Sequence, residues 1–164
     1  MSTYTPVASQ TLSSSASSVT FSSIPQDYTD LVLVIQTSIN SGANDTWLQF
    51  NSDGGNNYSR TKVAGNGTNA TSFRGANADA YYGVGNIGTG WMTSINHIMN
   101  YANATTYKTL LTTANNGNAG MGTEIVIGLW RSTSAINQVK VYASTSTGIG
   151  GTGLLFTTVQ NTDE

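Results

Sequence analysis

His97 is the single histidine of this 164-residue chain, and there is no cysteine. A multi-histidine metal site is thereby excluded, and any Ser-His-Asp triad has to run through His97. No Gly-x-Ser-x-Gly elbow accompanies it, so the expected role is a strand histidine, half-buried near a sheet edge. Glycoside hydrolysis needs two carboxylates flanking one bond. The glutamates are Glu124, at the edge of an apolar run, and Glu164, at the end of the chain. Asp27, Asp30, Asp45, Asp53 and Asp79 fall in turn-forming stretches, where an aspartate bonds its local backbone without any catalytic role. The segment Asn51–Asn57 offers oxygen ligands in a glycine-containing loop but lacks the closing glutamate of a calcium site, and reads as a hairpin turn. Gly83, Gly85, Gly88 and Gly90 do not form a phosphate-binding Gly-x-Gly-x-x-Gly ahead of a helix. The expectation is a protein that is not an enzyme, with no metal and no cofactor.

Binding is a better prospect than catalysis. Tyr81, Tyr82 and Trp91 stand among Gly/Asn-rich stretches. Aromatic rings with polar tips suit a platform for a sugar or a protein partner. The same three residues would serve equally as core or subunit-contact residues, and both readings stay open at this point.

Composition narrows the partners. Charged residues make up 9% of the chain, against about 25% in an ordinary soluble domain. Ser, Thr, Asn and Gly take their place. A polar but nearly uncharged exterior suits a protein packed against copies of itself or another surface, where buried charges would cost desolvation. The net charge of −2, with Arg60, Lys62 and Arg74 as the one loose basic group, supplies no phosphate track for nucleic acid. The opening residues lack a basic stretch followed by an apolar core, so release by cell lysis, or none at all, is expected rather than secretion.

The elements that must position these residues are strands. Leu31-Val32-Leu33-Val34-Ile35 is a continuous apolar run, rich in β-branched residues and bounded by turns. It is too short to cross a membrane and reads as a buried strand. Val19-Thr20-Phe21 leads into the Ile24-Pro25 turn and is expected to pair with it. Further strands are expected at Thr46–Phe50, Tyr58–Val63, Tyr81–Ile87, Trp91–Tyr101, Lys108–Thr113, Glu124–Trp130, Ala135–Ala143 and Leu154–Phe156. Residues 64–80 read as a long Gly/Asn loop around Phe73. About eight to ten short strands between Gly/Asn turns, without a convincing helix, define an all-β antiparallel β-sandwich, with the jelly roll as the version they fit. The chain reads as a single domain over 1–164. Residues 1–20 read either as two short strands around the Ser13–Ser18 patch or, over 1–18, as an extended or disordered N-terminal arm, and 157–164 as a C-terminal arm.

Several segments together carry a resemblance. Phe21-Ser22-Ser23-Ile24-Pro25-Gln26-Asp27-Tyr28-Thr29-Asp30-Leu31 resembles a signature of small structural proteins of tailed bacteriophages and prophages. Leu48-Gln49-Phe50-Asn51, Asn57-Tyr58-Ser59, Asn100-Tyr101-Ala102, Tyr107-Lys108-Thr109 and Trp130-Arg131 through Asn137 follow in the same order, so the likeness covers most of the chain. The end departs from it, because Thr157-Thr158-Val159-Gln160 replaces the usual closing strand. The resemblance implies a non-enzymatic virion subunit, made in the host cytoplasm. It would decorate or cement the capsid, or form part of a head or tail fibre, as a homotrimer contacting the major capsid or tail protein. A receptor-binding module holding a host surface glycan is the alternative.

Overall fold

The apolar run Leu31–Ile35 is the middle of a strand whose Leu31, Leu33 and Ile35 face the core while Val32 is buried on the opposite side. Burial on both faces explains why the run does not alternate. A computed structural model describes residues 3–39, 44–116, 122–143 and 154–162. Those residues form twelve strands and no helix: β1 (Thr3–Leu12), β2 (Ser18–Phe21), β3 (Asp30–Thr37), β4 (Asn44–Phe50), β5 (Tyr58–Gly65), β6 (Ala70–Ala78), β7 (Tyr81–Ile87), β8 (Met92–Met99), β9 (Lys108–Asn116), β10 (Thr123–Trp130), β11 (Val139–Ala143) and β12 (Leu154–Thr162). All pairings are antiparallel. An eight-stranded sheet runs β1-β12-β3-β8-β9-β10-β5-β6, and a four-stranded sheet runs β2-β11-β4-β7. The smaller sheet packs on the larger largely through β7, which lies against β8, β9, β10 and β5. The protein is an antiparallel β-sandwich.

Alternation decides what lies between the sheets. On β10, Glu124, Val126 and Trp130 are buried while Ile125 and Ile127 point out. Phe50, Tyr58 and Trp130 form an aromatic cluster with ring centroids 5.5 to 6.3 Å apart. Between the sheets runs a polar chain: the Tyr81 hydroxyl donates to Thr112 Oγ1 (3.1 Å), Thr112 donates to Asn96 Oδ1 (2.7 Å), and Asn96 Nδ2 donates to the Leu33 carbonyl (3.1 Å). Each member is satisfied, which is the condition for burying polar groups without large cost. Gly128 makes room for this arrangement. A methyl group there would lie 2.0 Å from Tyr81 Cε2.

Three expectations change. Val19-Thr20-Phe21 does not pair with Leu31–Ile35; Val19 and Phe21 face Val141 and Val139 of β11. The Ile24-Pro25 segment crosses between the sheets instead of closing a hairpin, and it is pinned by Ile24 N donating to the Asn137 carbonyl (3.1 Å) and by the Tyr101 hydroxyl on the Pro25 carbonyl. Residues 64–80 are not one loop. Asn66 Oδ1 accepts from the backbone of Thr68 and Asn69 (3.0 and 2.7 Å), Gly67 takes φ +87, and the chain returns as β6 along β5. An edge strand held by backbone bonds and mostly exposed needs no apolar periodicity, so its sequence carries little strand signal. Finally, of the two readings of the first residues it is the strands that form, β1 pairing with β12, and the described part of the segment read as a C-terminal arm is sheet. β12 includes residues 157–162 and lies between β1 and β3, bonded to both.

Candidate functional site

Two surfaces gather side chains that the core does not use. The first is the outer face of the eight-stranded sheet. Ile95, Thr113, Ile125 and Val63 stand side by side across β8, β9, β10 and β5, and His97, Leu111, Ile127 and Thr61 form the next row. The four β-branched apolar residues Ile95, Ile125, Ile127 and Val63 are between 41% and 57% exposed. Within these two rows, continued onto Ser72 and Arg74 of β6, Arg74 is the one Lys, Arg, Asp or Glu. His97 belongs to this face. It is half-buried between Val32 of β3 and Leu111 of β9, well inside the sheet rather than near an edge.

The second surface is the outer face of the four-stranded sheet. Alternation that buries Leu48, Phe50, Val139 and Val141 turns Trp47, Lys140 and Tyr142 outward. Tyr142 and Trp47 are cross-strand neighbours, as are Trp47 and Tyr82. Their rings touch: 5.6 Å edge-on between Trp47 and Tyr142, and 4.2 Å, tilted, between Trp47 and Tyr82. Lys140 sits 5.0 Å over Tyr142. Beyond Tyr82, the Arg60 guanidinium lies 5.1 Å from its ring and 5.2 Å from that of Phe73. The Tyr82 hydroxyl donates to the Asp79 carboxylate. Burial, and then this carboxylate beside it, push that hydroxyl up to about 12.

The three aromatics expected as a platform are thus separated. Tyr81 is buried in the core, on the opposite side of β7 from Tyr82. Trp91 is exposed at the start of β8, beyond the far end of β7, roughly 15–20 Å along the strand from Tyr82. Only Tyr82 joins the aromatic row. Trp47 and Tyr142 were legible from alternation opposite Leu48/Phe50 and Val139/Val141. Arg60 and Phe73 were not, because their meeting depends on β6 folding back along β5.

The carboxylates have internal duties. Asp53 accepts from Gly55 N (2.9 Å), Asn57 Nδ2 (3.0 Å) and Trp130 Nε1 (2.7 Å), so the Asn51–Asn57 segment is a turn stapled to the core. Glu124 pairs with Lys62 and accepts from Asn86 N (3.1 Å). The Asn86 amide donates to Asp45 Oδ1 (2.6 Å) and accepts from Lys62 Nζ (3.2 Å). Lys62, Asn86 and Glu124 of this network line a cavity of about 240 Å³ with Asn66, Asn69 and Asn115. Asn86 thus bonds both carboxylates, Glu124 through its backbone N–H and Asp45 through its side-chain amide. Among the described residues no group of three His, Asp or Glu side chains is placed to hold a metal ion.

Comparisons with protein-family models, with curated proteins and with solved structures found no match to this chain.

Proposed function

We propose that this protein is a structural subunit of a tailed-phage virion, acting by association with copies of itself and with neighbouring virion proteins rather than by catalysis. The exposed, nearly uncharged apolar rows on the large sheet carry the reading. Strands lie about 4.8 Å apart and rise about 3.3 Å per residue, so β3, β8, β9, β10 and β5 present roughly 500 Å² in projection. That is the order of the ~800 Å² per partner of a standard interface. Low charge and the Phe21–Leu31 signature support the same conclusion. Homotrimeric assembly on the capsid or in a fibre is the form this takes.

Strand order supports the jelly-roll version of the sandwich. Counting the β8-β9-β10 meander as one unit, β2, β3, β4, β5, β6, β7, the meander and β11 are eight successive units. They alternate as one, eight, three, six in the small sheet and two, seven, four, five in the large, the interleaving of nested antiparallel pairs in a jelly roll. β12 and β1 then extend the large sheet beyond β3.

Light scattering on purified protein, alone and mixed with capsid shells stripped of accessory proteins, tests this. The wild type is expected to be trimeric and to coat the shells. The double variant Ile125→Lys/Ile127→Lys is expected to be monomeric with unchanged circular dichroism, since both side chains lie outside the core. A monomeric wild type that ignores the shells, or a variant that assembles normally, overturns the reading. The aromatic row of Tyr142, Trp47 and Tyr82 favours one second reading, a fibre module that binds host glycan.

A further inference from the structure

The eight-stranded sheet is wider than the sheet that covers it, and the uncovered margin forms a groove. β6 is the edge of the large sheet and β7 the edge of the small one. Phe73 pairs opposite Lys62, so it shares the inward-facing side of the large sheet, yet it is 53% exposed because no strand covers it. Arg60 threads the gap. Methyl groups built on Gly75 and Gly83 would come within 3.9 Å of its side-chain stem. Its guanidinium ends between the Phe73 and Tyr82 rings in a cavity of about 150 Å³, walled otherwise by Ala76, Ala78 and Ala80.

The chemistry of this groove is incomplete. Arg60 Nε and Nη1 are shut off from solvent with no hydrogen-bond partner. Ring faces attract the cation but accept little from its N–H groups, and unmet buried donors are costly. A carboxylate is the group whose shape and charge meet a guanidinium fork. Flat aromatic walls and a small methyl-lined chamber accept the C–H face of one sugar ring, a volume below the usual range for larger ligands. Phe73, on the uncovered edge and 53% exposed, is the wall on the solvent side. Behind Tyr82 lies Trp47, its ring tilted 41° to that of Tyr82 at 4.2 Å.

We infer that the groove between Phe73 and Tyr82 binds an acidic sugar residue, its carboxylate on Arg60 and its ring face against the aromatics. The site is separate from the apolar face of the large sheet and does not depend on the assembly reading.

Ligand-observed NMR on the full chain tests it, with methyl glucuronide, N-acetylneuraminic acid and methyl glucoside as probes. At least one of the acidic sugars is expected to bind roughly tenfold more tightly than the glucoside. Arg60→Met is expected to erase that preference. Phe73→Ala, an exposed change that leaves the fold intact, is expected to weaken acidic-sugar binding several-fold. Ile125→Lys/Ile127→Lys is expected to bind as the wild type, which separates this site from assembly. Equal binding of acidic and neutral sugars, no binding of either acid, or full binding by Phe73→Ala overturns the inference.

Discussion

Asp53 shows how a turn residue becomes part of the core. Its carboxylate closes the Asn51–Asn57 turn and takes the indole N–H of Trp130, the largest side chain in the core. Asp53→Ala leaves that N–H without its acceptor, and a loss of about 1–3 kcal/mol in urea unfolding is expected. The effect depends on pH in a defined direction. Burial pushes the Asp53 carboxyl up, but the bonds from Asn57, Trp130 and Gly55 N outweigh it and hold it below the usual aspartate range. A depressed folded-state value contributes stability that is complete above the unfolded value and is lost as pH falls through the folded one. The gap between wild type and Asp53→Ala should be constant above about pH 5 and should narrow below about pH 4. The turn was legible in the sequence. Its bond to Trp130, 77 residues away, was not.

At the scale of elements, glycine governs how the sheets approach. Gly128 of β10 lies under the Tyr81 ring of β7, and the Tyr81–Thr112–Asn96 chain requires that ring where it is. Gly128→Ala should displace it and cost about 1–3 kcal/mol, the range for overpacking a filled interior. Thermal unfolding would show this, with Tyr81→Phe as comparison. Removing only the hydroxyl should cost about 1 kcal/mol. Strands buried on one face, such as β10 and β11, are readable from alternation. β6 is not, since its bonds are to backbone and its side chains lie mostly in solvent. β2 was readable as a strand but not in its pairing, because nothing local tells which sheet the Ile24-Pro25 crossing leads to.

For the whole molecule, the two sheets present unlike outer faces. The large one carries two rows across β8, β9, β10 and β5 that are rich in exposed apolar residues and free of Lys, Arg, Asp and Glu; the small one bears an aromatic row flanked by Lys140 and Arg60. Association through the apolar face should respond weakly to salt, since screening acts on charges and few are present. Sedimentation at about 0.05 M and about 0.5 M salt, on either side of the ~0.1 M at which the screening length is ~10 Å, checks this. The unfolding temperature should also rise with protein concentration, as for any assembly that binds only the folded state. In Ile125→Lys/Ile127→Lys that dependence should vanish.

The sequence by itself determined an all-β antiparallel sandwich, its strand of continuous apolar residues, most of the other strands and the sparse charge. These follow from short-range physics: β-branched runs, alternation, and Gly/Asn turns act over a few residues. Tertiary structure alone decided which of Tyr81, Tyr82 and Trp91 share a surface, that Trp47 and Tyr142 join Tyr82, and that Arg60 lies between Phe73 and Tyr82. Those placements depend on strand order and register. One step of register exchanges the two faces of a strand, and the pairings that set it join residues far apart in the chain.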